Sequence, residues 1–267
     1  MNACSTNEPA PKTLDTNMPR ARIRQVDILV DPRFKALEAV STMRVFQYAN
    51  IQLARHGLAR GYRAIVASCA FGSVDSDMAM SLEAANKVGT LDLPDIAIIM
   101  GARAIGGSLK NNAGLIGWAR AAAARVDRFV AVCSGIFFPA AARLREGLRA
   151  TTHWSVTTLL QASFPGVQVD SNAIFVRTVR PWNSAGVTTG IDLAPAWVEE
   201  DHRRGLAPEV ARDLVVYLQR PGGQSPLSIH LAGQNTNHLG IRKVPDWFLS
   251  SLDQPLVSAA LVRRVRR

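Results

Sequence analysis

The residues best suited to chemistry are Cys133, Ser134 and Gly135, which directly follow the apolar stretch Arg128–Val132. That stretch has the composition of a buried parallel strand, and residues 136–144 have helical character. A side chain at such a turn lies at the C-terminal edge of a sheet, where open α/β folds bind ligands. The start of a helix also stabilises a thiolate there. The pattern therefore predicts that Cys133 is a nucleophile of low pKa.

His153 lies downstream of Cys133 and follows two threonines. Both residues also have a purely structural interpretation. A free cysteine is often a small buried apolar residue, and a single histidine is more often a strand-end residue with a satisfied hydrogen bond than a base. Taken together, Cys133 and His153 indicate nucleophilic chemistry of the cysteine–histidine type.

Three blocks of the sequence resemble the ThiJ/PfpI superfamily, and specifically the sensor domain of GlxA-type regulators of the AraC family. The blocks are AVCSGIF followed by LRATTHW around Cys133 and His153, then SAGVTTGIDL at 184–193, then RPGGQS at 220–225. The resemblance covers most of the chain from Gln25 onward. It implies an α/β fold with a doubly wound parallel sheet, flavodoxin-like and class I glutamine amidotransferase-like, followed by a short helical C-terminal remnant.

The resemblance also implies a partner for the cysteine. Glu38 matches an acidic residue that follows strand one in the superfamily and shares a hydrogen bond with the cysteine. A carboxyl near a thiolate is stable only if it is protonated or compensated, so the two groups titrate together. Glu38 is otherwise an ordinary acid in the first turn of a helix. Ser41 and Thr42 replace the Gly-Pro usual in these regulators, which alters the expected shape of the pocket.

A small-residue loop supplies the remaining candidate site residues. Gly101 and Ala102 take the place of the Gly-Gly that begins this loop in the superfamily. The resemblance implies that the loop backbone and Ser134 form an oxyanion hole, with Gly135 completing the pocket. Such donors stabilise an oxyanion if chemistry occurs. The simpler interpretation is a flexible turn between a strand and a helix.

Apolar runs and helical spacing give the elements that must position these residues. Strands are predicted at 25–30, 62–68, 94–100, 128–132, 167–170 and 173–178, and helices at 37–56, 112–124, 155–164 and 206–218. We predict a surface loop at 71–80, a short helix at 82–88, and a turn at 182–186 that opens a helix through Glu200. Strands and helices that alternate in this way favour a parallel, doubly wound sheet.

The sequence divides into four predicted segments. Residues 1–24 are a disordered polar tail, 25–219 form the ThiJ/PfpI-like domain, and 220–243 are a linker. Residues 244–267 resemble the start of an AraC-type helix-turn-helix domain, whose recognition helix we expect to be missing. The chain is accordingly interpreted as a regulator truncated within its DNA-binding domain.

Composition excludes several classes of protein. The chain has 267 residues, 48% hydrophobic content and three cysteines without metal or disulfide spacing, so we expect no metal, no cofactor and a cytoplasmic location. We expect no signal peptide and no membrane span. Much of the net charge of +10 lies in the two ends. These ends are best interpreted as solvated tails, with non-specific phosphate contacts at most from Arg263, Arg264, Arg266 and Arg267.

Three functions remain open at this point. The first is a ligand-sensing domain of a GlxA-type regulator, without competent DNA reading. The second is a small-molecule cysteine enzyme of hydratase, glyoxalase or amidase type that uses Cys133, Glu38 and His153. The third is a structural or dimerising remnant. The linker after the RPGGQS block favours the first. We expect a homodimer, an unidentified small-molecule ligand, and contact with DNA only weakly or through the missing domain.

Overall fold

A seven-stranded sheet carries the fold. The structure is a computed structural model that describes residues 23–58, 61–89, 91–144, 147–178, 181–186, 197–202 and 206–215. The strands are β1 (Arg24–Leu29), β2 (Tyr62–Ser68), β3 (Gly72–Asp75), β4 (Ser81–Ala84), β5 (Asn86–Lys87), β6 (Ile96–Ile99), β7 (Arg128–Val132), β8 (Arg149–Ala150), β9 (Gln168–Val169), β10 (Phe175–Val176) and β11 (Trp182–Ser184). The order in the main sheet is β10-β11-β7-β6-β1-β2-β5, and every neighbouring pair is parallel except β10 and β11.

Helices cover both faces of this sheet. They are α1 (Ala36–Arg55), α2 (Ile105–Asn111), α3 (Ala113–Ala123), α4 (Phe137–Ala141), α5 (Thr157–Ser163), α6 (197–202) and α7 (Leu206–Asp213). Single turns of 3-10 helix occur at Cys133–Ile136 and Trp154–Val156. None of the helices in the described ranges is long and apolar enough to cross a membrane.

The central strands are buried on both faces because alternate side chains enter two different cores. In β7, Val130 and Val132 pack in the cluster that includes α1 and α7, while Phe129 and Ala131 pack in the cluster that includes α3 and α4. A strand between two cores is apolar at successive positions, which is the composition that predicted it. The flavodoxin-like, doubly wound α/β fold predicted from the sequence is therefore confirmed.

Several local predictions were wrong. The predicted loop at 71–80 contains β3, the predicted helix at 82–88 is β4 and β5, and the predicted turn at 182–186 contains β11. β3 and β4 pair as an antiparallel hairpin, so contacts between the strands override the weak local pattern. Residues 187–196 of the predicted kinked helix, most of the predicted tail, the linker and the helix-turn-helix start lie outside the described residues.

Arg128 anchors the N-terminal edge of the sheet. Its buried guanidinium donates to Asp201 at 2.9 and 3.1 Å and to Glu200 at 2.7 Å. Arg24 of β1 and Tyr62 of β2 also bond to the Asp201 carboxylate. The cations lower the pKa of Asp201 although burial opposes them. One acid on α6 thus joins β1, β2 and β7.

Replacing Arg128 by methionine should destabilise the fold severely, because the buried Asp201 would lose its main counter-ion. Removal of one partner from a buried ion pair costs about 3 kcal/mol or more. Urea unfolding of the Arg128→Met variant should show that loss in the free energy of unfolding.

Arg149→Met is the matched control, because Arg149 is exposed and pairs with Asp170 at the surface. That exposed pair should contribute less than about 1 kcal/mol. Equal losses in the two variants would contradict the assigned role of the Arg128 network.

Candidate functional site

Cys133 occupies a strained turn at the end of β7. Its φ angle is 54°, in the left-handed region that residues other than glycine rarely adopt. The 3-10 turn Cys133–Ile136 and then α4 follow immediately. This sharp strand-to-helix turn is the arrangement predicted from the sequence. It brings the thiol to the C-terminal edge of the parallel sheet.

Two glycines allow the backbone of β6 and its loop to approach this turn closely. A Cβ atom at position 135 would lie 2.4 Å from the carbonyl oxygen of Ile99. A Cβ atom at position 101 would lie 2.8 Å from Ser134 Oγ and 3.2 Å from Cys133 Cβ. Side chains at these two positions would force the cysteine turn away from the neighbouring strand.

Glu38 in the first turn of α1 faces the Cys133 thiol. Its carboxyl is 1% exposed and the cysteine is 2% exposed. Burial raises the pKa of Glu38 from its ordinary value of 4.5 to about 7, although the thiol and the Gly101 backbone lower it in part. Hydrogen bonds of ordinary geometry do not reach either oxygen of Glu38. The pair therefore interacts through short-range electrostatics rather than a tight hydrogen bond.

The thiol itself behaves differently from the expectation. Burial raises the pKa of Cys133 well above its ordinary value, and the Glu38 carboxylate raises it further. The Ser134 backbone N–H lowers it by less. The dipole argument that predicted a low pKa omitted the cost of removing a thiolate from water and placing it beside an acid. In this state Cys133 is a protonated thiol.

The Ala102 N–H, one of the backbone donors expected to form an oxyanion hole, is already bonded within the protein. Ser134 Oγ accepts from the Ala102 N–H at 3.1 Å and donates to the Ala102 carbonyl at 3.1 Å. The Gly101 carbonyl accepts from the Lys35 N–H at 2.9 Å. The role of these donors in oxyanion stabilisation stays a prediction, and an oxyanion would have to displace those bonds.

His153 approaches the cysteine turn through its neighbouring residue. Thr152 Oγ1 donates to the Cys133 carbonyl at 3.1 Å, which fixes this segment against the end of β7. The His153 ring hydrogen-bonds to its own segment rather than to the thiol, because Nδ1 accepts from the Ser155 N–H at 3.3 Å and contacts Ser155 Oγ at 2.8 Å. In the neutral ring the proton is then on Nε2. His153 in this tautomer is a donor and not a ready base.

Lys35 is a site residue that the sequence analysis did not identify. Its ammonium group pairs with Asp77 at 3.0 Å, and its charge lowers the pKa of Glu38, Cys133 and His153 alike. A cation at the N-cap of α1 opposes the helix dipole, and this unfavourable placement was the signal available in the sequence. Lys35 is the positive charge that the three predicted catalytic residues share.

The structure therefore brings Cys133, Glu38, Gly101, Ser134 and Gly135 into one site. Ala102 joins it through Ser134, and His153 lies at its side without a hydrogen bond to the thiol. Within the described ranges, no group of three His, Cys, Asp or Glu side chains is arranged to hold a metal ion. The predicted phosphate contacts Arg263, Arg264, Arg266 and Arg267 lie outside the described residues.

Glu38 should make the stability of the protein depend on pH near neutrality. A carboxyl whose pKa rises from 4.5 to about 7 on folding binds its proton more tightly in the folded state. The contribution of Glu38 to stability is therefore greatest below pH 4.5 and is lost as the pH rises through 7, by up to about 3 kcal/mol. Glu38→Gln should remove this part of the dependence in urea unfolding between pH 5 and pH 8.

The exposed Glu83 provides the control. Glu83→Gln should leave the pH profile of the wild type unchanged, because its carboxyl is in solvent in both states. A Glu38→Gln variant that still lost stability with rising pH, as steeply as the wild type, would exclude Glu38 as the titrating group.

The comparisons with known proteins agree with this geometry. The sequence pattern of the DJ-1/PfpI family matches residues 24–200. A protein described as an uncharacterised protein in the cpoL 5' region of Streptomyces lividans is 33% identical over 141 residues, 53% of this chain and 95% of that protein. A crystal structure of an AraC family transcriptional regulator from Pseudomonas putida superimposes with a TM-score of 0.62 at 19% identity, over 72% of this chain and 99% of that one.

The structure of DJ-1beta from Drosophila melanogaster is similar to the same extent. It has a TM-score of 0.62 at 14% identity and covers 74% of this chain and 100% of that one. At these identities the structural likeness shows the fold alone, so regulators and DJ-1 proteins are both neighbours in fold. The match of the sequence pattern extends over more than half of the chain, from β1 into α6. This chain therefore belongs to the DJ-1/PfpI family.

Proposed function

We propose that the chain is the ligand-sensing domain of a GlxA-type regulator of the AraC family. The observation that carries this proposal is the burial of the Cys133 thiol beside the buried carboxyl of Glu38. Cys133 is buried, its pKa lies well above the ordinary value, and the acid beside it raises that pKa further. A nucleophile for turnover at neutral pH needs the opposite environment.

The hydrogen bonds around the thiol support the same proposal. The Ala102 N–H donates to Ser134 Oγ, and the Gly101 carbonyl accepts from the Lys35 N–H. A loop whose polar groups are bonded within the protein is better suited to holding one conformation than to stabilising a new charge. A small molecule that rearranges these bonds would change the position of the β6 loop and of α1, which is a structural signal of the kind a regulator requires.

The alternative is a small-molecule cysteine enzyme of hydratase, glyoxalase or amidase type. Two observations favour it. The left-handed backbone of Cys133 is a strained conformation of the kind found at active sites. Glu38, with a pKa of about 7, can hold or release a proton at neutral pH, which suits a general acid or base. In that mechanism Glu38 would take the thiol proton, and His153 would assist through Nε2.

The rate of thiol alkylation separates the two functions. The sensor proposal predicts that Cys133 reacts with iodoacetamide at pH 7 at least about tenfold more slowly than N-acetylcysteine, because its thiolate is buried and disfavoured. Peptide mass spectrometry distinguishes Cys133 from Cys4 and Cys69. The same sample unfolded in urea is the control, in which Cys133 should react like the free thiol.

A Cys133 that reacts faster than the free thiol would overturn the sensor proposal. Consumption of methylglyoxal by the wild type but not by Cys133→Ser would do the same and establish the glyoxalase-type alternative.

We also propose a homodimer formed through one apolar surface. Exposed Leu37 and Val40 lie on α1, and exposed Met78 and Met80 lie in the turn of the β3–β4 hairpin. Asp77 joins the two elements, since it accepts from the Ala36 N–H at 3.1 Å. A second copy of the chain is the proposed occupant, because symmetric dimers bury exposed apolar side chains of this kind.

Leu37→Lys should convert this dimer to a monomer in sedimentation velocity, because it would place two buried charges at a symmetric interface. The side chain is exposed in the single chain, so folding should be unaffected and circular dichroism should not change. Leu159→Lys is the matched control, since Leu159 is an exposed leucine on α5. A wild type that is monomeric at high concentration, or a Leu37→Lys variant that remains dimeric, would exclude this interface.

A further inference from the structure

A cavity opens at the C-terminal edge of the sheet, beside β1 and β2 rather than β7. Its volume is about 630 Å³, which is within the range of small-molecule sites. Its walls come from the residues after β1, those after β2, the strand β3, and the helix α2 with its junction to α3. Cys133, Glu38, His153, Gly101 and Ser134 are absent from its described lining. The cavity is therefore separate from the site described above.

Polar groups converge at the base of this cavity. Asn112 Nδ2 donates to Asp31 Oδ1 at 2.6 Å, and Cys69 Sγ donates to Asn112 Oδ1 at 3.1 Å. The Ser108 side chain also bonds to the Asp31 carboxyl. These donors are all neutral. In the part of the chain that the structure describes, Asp31 has no cation within ion-pair distance.

Asp31 is consequently a buried acid without a counter-ion among the described residues. Asp31 is 8% exposed, and burial raises the pKa of its carboxyl despite the two hydrogen bonds from Ser108 and Asn112. A carboxylate in this environment is disfavoured unless a positive charge compensates it. A cationic ligand in the adjoining space would supply that charge. Asp75, on β3, adds a second carboxylate to the wall.

The wall of the cavity also contains a strained backbone conformation. Arg33 has a φ of 67°, in the left-handed region. Its N–H donates to the Asp75 carbonyl at 2.7 Å, and its carbonyl accepts from the Arg103 N–H at 3.0 Å. Strained backbone of this kind persists where surrounding contacts determine it, and it is concentrated at ligand sites. Phe71, which is 69% exposed, lies at the rim and presents an aromatic ring to the cavity opening.

We propose that this cavity is a second ligand site, which binds a small organic amine. The ammonium group pairs with Asp31 and hydrogen-bonds near Asn112, while the apolar part of the ligand lies against Phe71. Two carboxylates against the single guanidinium of Arg33 disfavour an anion. A bare metal ion fits less well, because the amide and thiol groups at the base are bonded to one another and the described residues contain no metal-ligand cluster.

Isothermal titration calorimetry with benzylamine, phenethylamine and butylamine tests the proposal on the full chain. Benzylamine should bind with a Kd of about 1 mM or below. Benzyl alcohol, which has the same shape without the charge, should bind at least about tenfold more weakly, and benzoate should not bind. Asp31→Asn should weaken benzylamine binding about tenfold, while Asp92→Asn, at an exposed carboxylate, should leave it unchanged.

Phe71→Ala keeps the test informative if Asp31→Asn does not fold. The side chain is exposed, so the fold should persist, and benzylamine should bind about threefold more weakly. Cys133→Ser should bind benzylamine like the wild type, which separates this site from the proposed sensor or enzyme site. Three results would each overturn the proposal: no binding of any amine at roughly 10 mM, equal binding of benzyl alcohol, or unchanged affinity in both Asp31→Asn and Phe71→Ala.

Discussion

Two weak acids, Glu38 and Cys133, share a buried space from which water is excluded, and they cannot both be ionised there. This constraint determines the state of the site. Burial keeps the thiol protonated and leaves the carboxyl divided between its two forms near pH 7. The Lys35 charge moderates the effect on both groups without removing it. A ligand or a change of pH that alters the ionisation of one acid must therefore alter that of the other.

The fold produces this pair by bringing the ends of two strands and the start of one helix together at one edge of the sheet. Strand β7 ends in the cysteine turn, β6 ends in the Gly101 loop, and α1 begins after β1 with Glu38 in its first turn. The close packing needs glycine at 101 and at 135, since a Cβ atom at either would collide with the neighbouring backbone or Ser134. At the opposite end of β7, Arg128 ties the strand to β1 and β2 through Asp201. One short strand thus carries a structural anchor at its start and the thiol at its end.

The sequence predicted those parts whose signal is local and strong. The bounds of β2 and β7 were obtained from apolar runs, and the position of the cysteine followed from the strand before it. The β3–β4 hairpin was missed because 71–80 contains Gly72 and two aspartates, which are typical of a loop, and 82–88 lacks alternation, so the pairing of the two strands decides the structure. The pKa of Cys133 was predicted in the wrong direction, because burial and the approach of Glu38 are tertiary effects. Lys35 and Asp31 were missed for the same reason: each looks like a surface charge until its neighbours are known.

Glu38 and Asp31 show how one stretch of chain can supply two chemically different acids. They lie on either side of the turn that contains the left-handed Arg33, with Asp31 at the end of β1 and Glu38 within α1. Glu38 is buried against the Cys133 thiol, and the nearby Lys35 charge partly stabilises its carboxylate. Asp31 borders an open cavity and has only neutral donors. The unfavourable free energy of burying a carboxylate is therefore partly offset by Lys35 at the Glu38 site. At the Asp31 site, an incoming cation would offset it. Because the two sites share this backbone but none of the described lining side chains, a substitution at Asp31 perturbs the cavity while the acid–thiol pair remains in place.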